Sequence, residues 1–264
     1  TYGDYTNKQL ELYLTYDKKF KDIHHLNVMA GYSYLDNIAE GFGSTRSGFD
    51  TNAFGYNNLA AGTDFRQTDV YSYKNESQLI SFFGRVNYSL LDRYMLTATV
   101  RDDGSSRFGK NHKWGIFPSV SLAWRISEEP FMIKTRDWLD NLKLRLGYGV
   151  TGNQNGVSPY KSLSILSASG AAYYDPTSGT WKNSYTLAQN TNPDLKWEST
   201  AQWNFGLDWS VFNKLNGTIE LYYKKTSDLL WTYPVPQPPF LVGTMLANVG
   251  NLVNKGFEVT LGYK

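Results

Sequence analysis

The chain has 264 residues, enough for one or two domains with a large core. Yet 16% of it is aromatic, with 20 Tyr and 8 Trp, and its mean hydropathy is only −0.46. The 26 basic and 24 acidic residues leave a net charge of +2, which gives no electrostatic footing for nucleic acid or an anionic membrane surface. No apolar run approaches the roughly 20 residues of a helical membrane span, and the absence of Cys excludes disulfides and thiolate metal sites.

From Thr6 to Lys19 the chain alternates, with Leu10, Leu12, Leu14 and Tyr16 on one face and Glu11, Thr15 and Asp17 on the other. A period of two is that of a strand. A turn around Lys21-Asp22 leads to a second strand, marked by Leu26, Val28, Ala30, Tyr32 and Tyr34. Asp36 to Glu76 shows no sustained alternation and is expected to be a loop of roughly forty residues, abnormal inside a compact soluble domain. Ser77 to Arg101 carries the strongest pattern. Ile80, Phe82, Val86, Tyr88 and Leu90, then Tyr94, Leu96, Ala98 and Val100, oppose Ser81, Arg85, Asn87, Ser89, Thr97, Thr99 and Arg101. Leu91-Asp92-Arg93 between them is of hairpin length. Each arm runs to about ten residues, longer than usual soluble strands and close to a tilted bilayer crossing.

A loop is expected from Asp102 to Lys113, followed by a fifth strand with Trp114, Ile116, Pro118, Val120, Leu122, Trp124 and Ile126 on its apolar face. Pro118 lacks an N–H and marks a bulge or a missing ladder bond. Ser127 to Asn141 is a moderate connection with a helical turn expected at Thr135–Leu139. Leu142, Leu144, Leu146, Tyr148 and Val150 mark strand six, and Thr151 to about Lys196 is a long loop. Strand seven has Ala201, Trp203, Phe205, Leu207, Trp209 and Val211 on one face, and strand eight Ile219, Leu221 and Tyr223. The turn between them is Phe212 to Asn216. A Pro-rich loop (Pro234, Pro236, Pro238, Pro239) precedes a ninth strand with Phe257, Val259, Leu261 and Tyr263.

Connections alternate short and long through the nine strands, as in outer-membrane barrels with tight turns on one side and large loops on the other. Tyr16, Tyr88, Trp124, Trp209 and Tyr263 lie on the apolar parity near the short-turn ends, and Tyr34, Trp114 and Tyr148 near the long-loop ends. That placement predicts aromatic girdles at headgroup depth. A soluble β-sandwich, secreted and carbohydrate-binding, with its apolar faces turned inward, fits the alternation equally well. In the long loops Tyr173, Tyr174, Trp181, Tyr185, Trp231, Tyr233 and Phe240 are candidates to contact a ligand or a protein partner. The competing role for them is packing of loop against loop.

Nothing in the sequence argues for an enzyme, a cofactor or a metal. Gly147-Tyr148-Gly149-Val150-Thr151-Gly152 fits G-x-G-x-x-G, but alternation continues through it and no helix follows, so these are expected to be strand-to-loop glycines. Asp102 and Asp103, beside Arg107, point to opposite faces if extended, which favours a local salt bridge or turn over a shared acid–base site. His24-His25 has no third ligand near it in sequence, and His112 stands among lysines.

Several runs resemble one family, the SusC/RagA-type TonB-linked outer-membrane transporters. They are LISFFGRVNYSLLDRYMLTATVRDDGSSRFG (79–109), WGIFPSVSLAWRISEEPFM (114–132), DWLDNLKLRLGYGVTGNQ (137–154), NPDLKWESTAQWNFGLDW (192–209) and NVGNLVNKGFEVTLGY (248–263). The resemblance implies an all-β fold: an antiparallel up-and-down transmembrane β-barrel segment, about nine strands of a 22-stranded barrel. Residues 1–264 would be part of one barrel domain, without the plug domain and the closing strands. The opening TYGDYT shows no initiator Met or leader and is expected to be internal to a longer protein. The implied function is TonB-dependent import of oligosaccharides or peptides across the bacterial outer membrane. The implied partners are a SusD-like surface lipoprotein, TonB through the N-terminal part, and outer-membrane lipid.

Overall fold

The computed structural model describes residues 1–66 and 69–263. Its strands in chain order are β1 (Tyr2–Phe20), β2 (His24–Ser44), β3 (Val70–Leu90), β4 (Tyr94–Ser105), β5 (Trp114–Arg125), β6 (Leu139–Asn153) and β7 (Leu166–Asp175). They continue with β8 (Thr180–Leu187), β9 (Glu198–Val211), β10 (Leu215–Ser227), β11 (Leu230–Pro234), β12 (Thr244–Asn248) and β13 (Asn251–Tyr263). Among the described residues nine of these form one antiparallel sheet, in the order β1-β2-β3-β4-β5-β6-β9-β10-β13, while β7–β8 and β11–β12 are separate two-stranded hairpins. Each sheet strand pairs with the next sheet strand along the chain, so the sheet is an up-and-down meander that the described residues do not close.

Three of the connections are the same turn. Lys21-Asp22, Leu91-Asp92 and Phe212-Asn213 all take positive φ, between 51° and 56°. Each turn is closed by an N–H···O bond across it: Ile23 to Phe20, Arg93 to Leu90 and Lys214 to Val211. This is the type I′ geometry, whose twist matches that of the strands it joins. Asp or Asn fills the second position each time, the residues other than Gly that best tolerate the left-handed region.

The register carries one parity across the sheet from Leu142 of β6 onward, after a bulge between Leu139 and Asn141 at the short-turn end. Lys18, Leu26, Tyr88, Leu96, Leu122, Leu146, Phe205, Leu221 and Phe257 form one cross-strand row, from β1 to β13. One face therefore gathers the apolar side chains, and it is bare: Leu122 is 51% exposed and Phe257 74%. Rings pair across strands within it, as Tyr32 with Phe82 at 5.3 Å and Tyr148 with Trp203 at 4.5 Å, each pair adding about 1 kcal/mol. A sandwich would need a second sheet over this face, and among the described residues none lies there.

Several loop expectations are corrected. The loop expected from Asp36 to Glu76 is shorter, because β2 continues to Ser44 and β3 begins at Val70. Gly41 and Gly43, which weaken the strand pattern, lie beneath the rings of Tyr73 and Tyr71 across the β2–β3 ladder. Likewise β4 continues to Ser105, so Asp102 and Asp103 are strand residues, and the expected loop 151–196 holds the β7–β8 hairpin. The helical turn comes earlier than Thr135–Leu139, as 3-10 turns at Ile126–Glu128 and Pro130–Thr135. Pro130, with φ already fixed, starts the second of these. The strict short–long alternation also breaks, since the connection 126–138 is longer than the loop 106–113 on the opposite side.

The hydrophobic core sits at the long-loop end, where the sheet splits. β5 pairs with β4 from Trp114 to Trp124, but with β6 only from Ser119 to Arg125. Pro118 stands where the second ladder stops, the missing ladder bond its chemistry predicts. Phe108, Phe117, Val157, Leu195 and Trp197 form a buried cluster beside this split. The Trp197 ring meets Phe108 at 4.7 Å and Phe117 edge-on at 5.4 Å, and its Nε1–H donates to the Lys113 carbonyl at 3.0 Å. At Gly109, whose N–H bonds the Leu195 carbonyl, a Cβ would run into the Pro193 carbonyl. Three loops thus close on one another around a single indole.

Candidate functional site

The second face of the sheet is polar and hydrogen-bonded across strands. Asn27 donates to Asp17 at 2.9 Å, Asn87 to Asn27 at 3.3 Å, and Thr97 to Asn87 at 2.9 Å, a chain over four strands. Arg101 donates to both Asp103 oxygens at 2.7 and 2.9 Å and to the Ser81 hydroxyl at 2.7 Å. The local salt bridge expected at Asp102-Asp103 therefore exists, but with Arg101. Arg107 instead donates to the Val157 carbonyl at 2.9 Å. Further along, Arg145 makes a two-pronged contact with Asp208 at 2.8 Å and reaches Glu220 at 2.7 Å. Such bidentate charged bonds are the stronger kind and fix the side chains they join.

The long-loop end carries the candidate contact residues on the two hairpins. Tyr173, Tyr174, Trp181 and Tyr185 are on β7 and β8, all more than half exposed, with Trp181 at 71% and packed edge-on against Tyr174 at 5.6 Å. Trp231 and Tyr233 are on β11, where Trp231 is 66% exposed and Tyr233 half-buried. At the tip of the first hairpin the Asp175 carboxylate takes bonds from the Lys182 ammonium, the Ser178 hydroxyl and the Thr177 N–H. These partners, Lys182 foremost, hold its carboxyl below the usual range. The hairpin bases are joined: Asn190 donates to the Thr244 carbonyl at 2.9 Å, Asn192 to Leu246 at 2.9 Å, and Asn248 to Lys196 at 2.8 Å. Sequence patterning missed these asparagines, whose only signal is their clustering between aromatic segments.

At the short-turn end Tyr16, Tyr88, Trp124, Trp209 and Tyr263 all share the parity of the apolar face. Trp124 stacks on Tyr94 at 6.3 Å and donates its Nε1–H to Glu129 at 2.9 Å. The Tyr94 hydroxyl first, then this indole, and Arg93 at 3.6 Å, hold the Glu129 carboxyl below the ordinary range. Tyr88 bonds His24 at 2.7 Å, while His25 faces Asp17 at 3.1 Å, so the adjacent histidines serve different neighbours. Trp203, read from sequence as an apolar-face residue, is 60% exposed there and pairs with Tyr148, adding to the aromatics near the long-loop end. An apolar hollow of about 660 Å³ also opens near this end and is bordered by Tyr88, Leu122, Trp124 and Leu144. The G-x-G-x-x-G run lies wholly within β6, which ends at Asn153, a correction to its expected strand-to-loop position. Among the described residues no group of three or more His, Asp or Glu has metal-site geometry.

Comparison with known proteins agrees with this architecture. The family profile described as TonB dependent receptor-like, beta-barrel, matches residues 1–264. TonB-dependent receptor P3 of Formosa agariphila is 40% identical over 98% of the chain, and SusC of Bacteroides thetaiotaomicron is 40% identical over 76% of it. The chain covers 25% and 20% of those two proteins, about a quarter of their length or less. Among solved structures the RagAB peptide transporter superposes with a TM-score of 0.84 at 26% identity, over 98% of this chain and 28% of that one. The siderophore receptor PirA from Acinetobacter baumannii, at 14% identity over 99% of this chain and 35% of its own, shares the fold with a TM-score of 0.60. A nine-stranded meander with one bare apolar face, matched along its whole length by this profile, belongs to the TonB-dependent receptor-like β-barrel family.

Proposed function

We propose that this chain is a wall segment of an outer-membrane importer that takes up an oligomeric nutrient, an oligosaccharide or a peptide, using energy delivered through TonB. The observation that carries the proposal is the shared parity of the sheet: its apolar rows fall on one face, fit for lipid, and the Arg101–Asp103 and Arg145–Asp208–Glu220 groups on the other, fit for a wet lumen. Tyr16, Tyr88, Trp124, Trp209 and Tyr263 then serve as interfacial anchors on the periplasmic side. The similarity to SusC and to a peptide transporter supports import of a large solute under a SusD-like surface lipoprotein.

The two joined hairpins are the outward surface of this segment. Tyr173, Tyr174, Trp181, Tyr185, Trp231 and Tyr233 supply stiff contact area there at low entropy cost. Trp181 and Trp231, the most exposed of the indoles on these hairpins, are the anchors for the lipoprotein lid or the cargo. Trp181→Ala or Trp231→Ala in the whole transporter is expected to weaken lid association or uptake by about thirtyfold, the scale of a 2 kcal/mol anchor. Outer-membrane levels stay normal. If both variants bind and transport as the parent does, the hairpins have no such role.

A further inference from the structure

We infer that the apolar face of β3–β6 carries a seat for one phospholipid of the periplasmic leaflet, with an acyl chain in the apolar hollow and the phosphate at Arg93; the inference rests on the membrane facing proposed above and adds a site to it. The hollow, about 660 Å³, spans two neighbouring cross-strand rows of that face. The row nearer the short turns is Leu90–Tyr94–Trp124–Leu144, and the next runs from Tyr88 to Leu146. Each of the four strands has both its sheet neighbours within this chain. A plug would lie on the opposite side of the wall, so no other part of the barrel covers the hollow.

The edge of the hollow at the short turns is strapped and charged. The Glu129 carboxylate accepts from the Trp124 Nε1–H at 2.9 Å and from the Tyr94 hydroxyl, and its second oxygen meets Arg93 at 3.6 Å. Both rings belong to the apolar face, so these bonds draw the β5–β6 connection out over the lipid side of the wall and away from the lumen. In the 3-10 turn that follows Glu129, Phe131 and Ile133 are each more than half exposed, with Lys134 and Arg136 beside them. Apolar side chains interleaved with cations suit a segment lying in a head-group layer. Arg93 is 29% exposed and meets Glu129 through Nη1, which leaves further N–H groups for an anion. The neighbouring Asp92 is turned the other way, accepting from the polar-face Ser89 at 3.3 Å.

The one-sided polarity selects the occupant. On the side away from the short turns the hollow is bordered by the apolar row Val86–Ala98–Val120, and toward β9 by Phe205 and Leu207. A protein partner would call for a polar rim all round its contact. An amphiphile with one anionic end and an apolar body matches a hollow whose bordering charges lie along a single edge. That edge is also the one at the aromatic girdle, where head groups sit.

The test uses the whole transporter in phospholipid nanodiscs, with a trace of phosphatidylethanolamine carrying a photoreactive diazirine in one acyl chain. After irradiation, Leu96, Leu122 and Leu144 are expected to be labelled about fivefold more than Ile219 and Leu221, which share the apolar face on β10 outside the hollow. That excess is equivalent to about 1 kcal/mol of preference. Leu122→Trp fills the hollow without placing a charge in lipid, and should remove the excess while Ile219 and Leu221 are labelled as before. Arg93→Gln should reduce the excess by at least half. Should Leu122→Trp misassemble, the comparison of the two residue sets in the wild-type protein still decides. Equal labelling of the two sets means ordinary lipid contact and overturns the seat. A hollow left unlabelled beside labelled Ile219 and Leu221 also overturns it, because another polypeptide then covers the hollow. An excess that survives Arg93→Gln in full overturns the phosphate contact. Absence of label from both sets removes the membrane facing itself.

Discussion

Replacing Trp197 by Ala tests whether the outer loops are held by one joint. Its ring is 7% exposed, touches Phe108 and Phe117, and hydrogen-bonds the Lys113 carbonyl. Truncating a buried Trp costs about 3–5 kcal/mol, a range that includes about 1 kcal/mol for the lost hydrogen bond. Taking about 4 kcal/mol, local opening becomes roughly a thousandfold more frequent. The Gly109 amide, bonded to the Leu195 carbonyl, reports that opening by hydrogen exchange. In the detergent-solubilised whole protein its exchange should accelerate by about that factor, while amides of β3 and β4 stay protected. Trp197→Phe keeps part of the ring contact and loses the bond, so an acceleration between about fivefold and that of the Ala variant is expected. Unchanged exchange at Gly109 in Trp197→Ala would refute the joint. Equal acceleration throughout the sheet would show that the cluster holds the whole barrel and not the loops.

Spin labels at Leu96, Leu122 and Leu207 should report lipid and those at Thr97, Ser121 and Asp208 water; equal accessibility of the two sets would contradict the facing given by the register. Arg145→Met leaves Asp208 and Glu220 facing each other without their cation. It should lower the denaturation midpoint, at a cost of about 1–3 kcal/mol, and adding Asp208→Asn and Glu220→Gln should restore much of it; no recovery would mean that packing of the Arg stem matters instead. At the hairpin tip Asp175 has a depressed pKa, so its contribution is fully present above the unfolded value of about 3.9 and is lost as pH falls through the lower folded value. The difference in Trp fluorescence between the parent and its Trp181→Phe variant should change only below that pH, and not at all in Asp175→Asn; a transition centred above it would contradict the Lys182 contact.

Within the membrane-spanning part the strands are legible in sequence because each has one face in lipid and one in water, as Leu96 and Thr97 show. Beyond that zone the contrast disappears. From Ile38 to Ser44 both faces are wet, and Gly41 and Gly43 resemble loop residues until Tyr73 and Tyr71 are placed over them. Only pairing reveals that, and pairing is not in the local pattern. The β11–β12 hairpin hides for a related reason: Pro234, Pro236, Pro238 and Pro239 lie in or just after β11 and suggest unstructured chain. For the candidate contact residues, composition identified the aromatics, but the asparagines that set the two hairpins side by side carry no periodicity at all.

Both hairpins leave and rejoin the sheet between residues that are already paired. Asn153 faces Glu198 where the first departs, and Ser227 faces Asn251 where the second does. The sheet therefore keeps its alignment whatever the length of the excursion. Doubling such a loop adds only about 0.6 kcal/mol of closure entropy, and no lipid-facing side chain changes place. The β7–β8 hairpin is thus a cassette on a constant frame: new recognition surfaces can be tried in 166–187, outside the buried cluster and the bonds that join the hairpin bases, without redesign of the wall. For the same reason a foreign epitope placed at the 175–180 tip would stand clear of the sheet and leave its pairing intact.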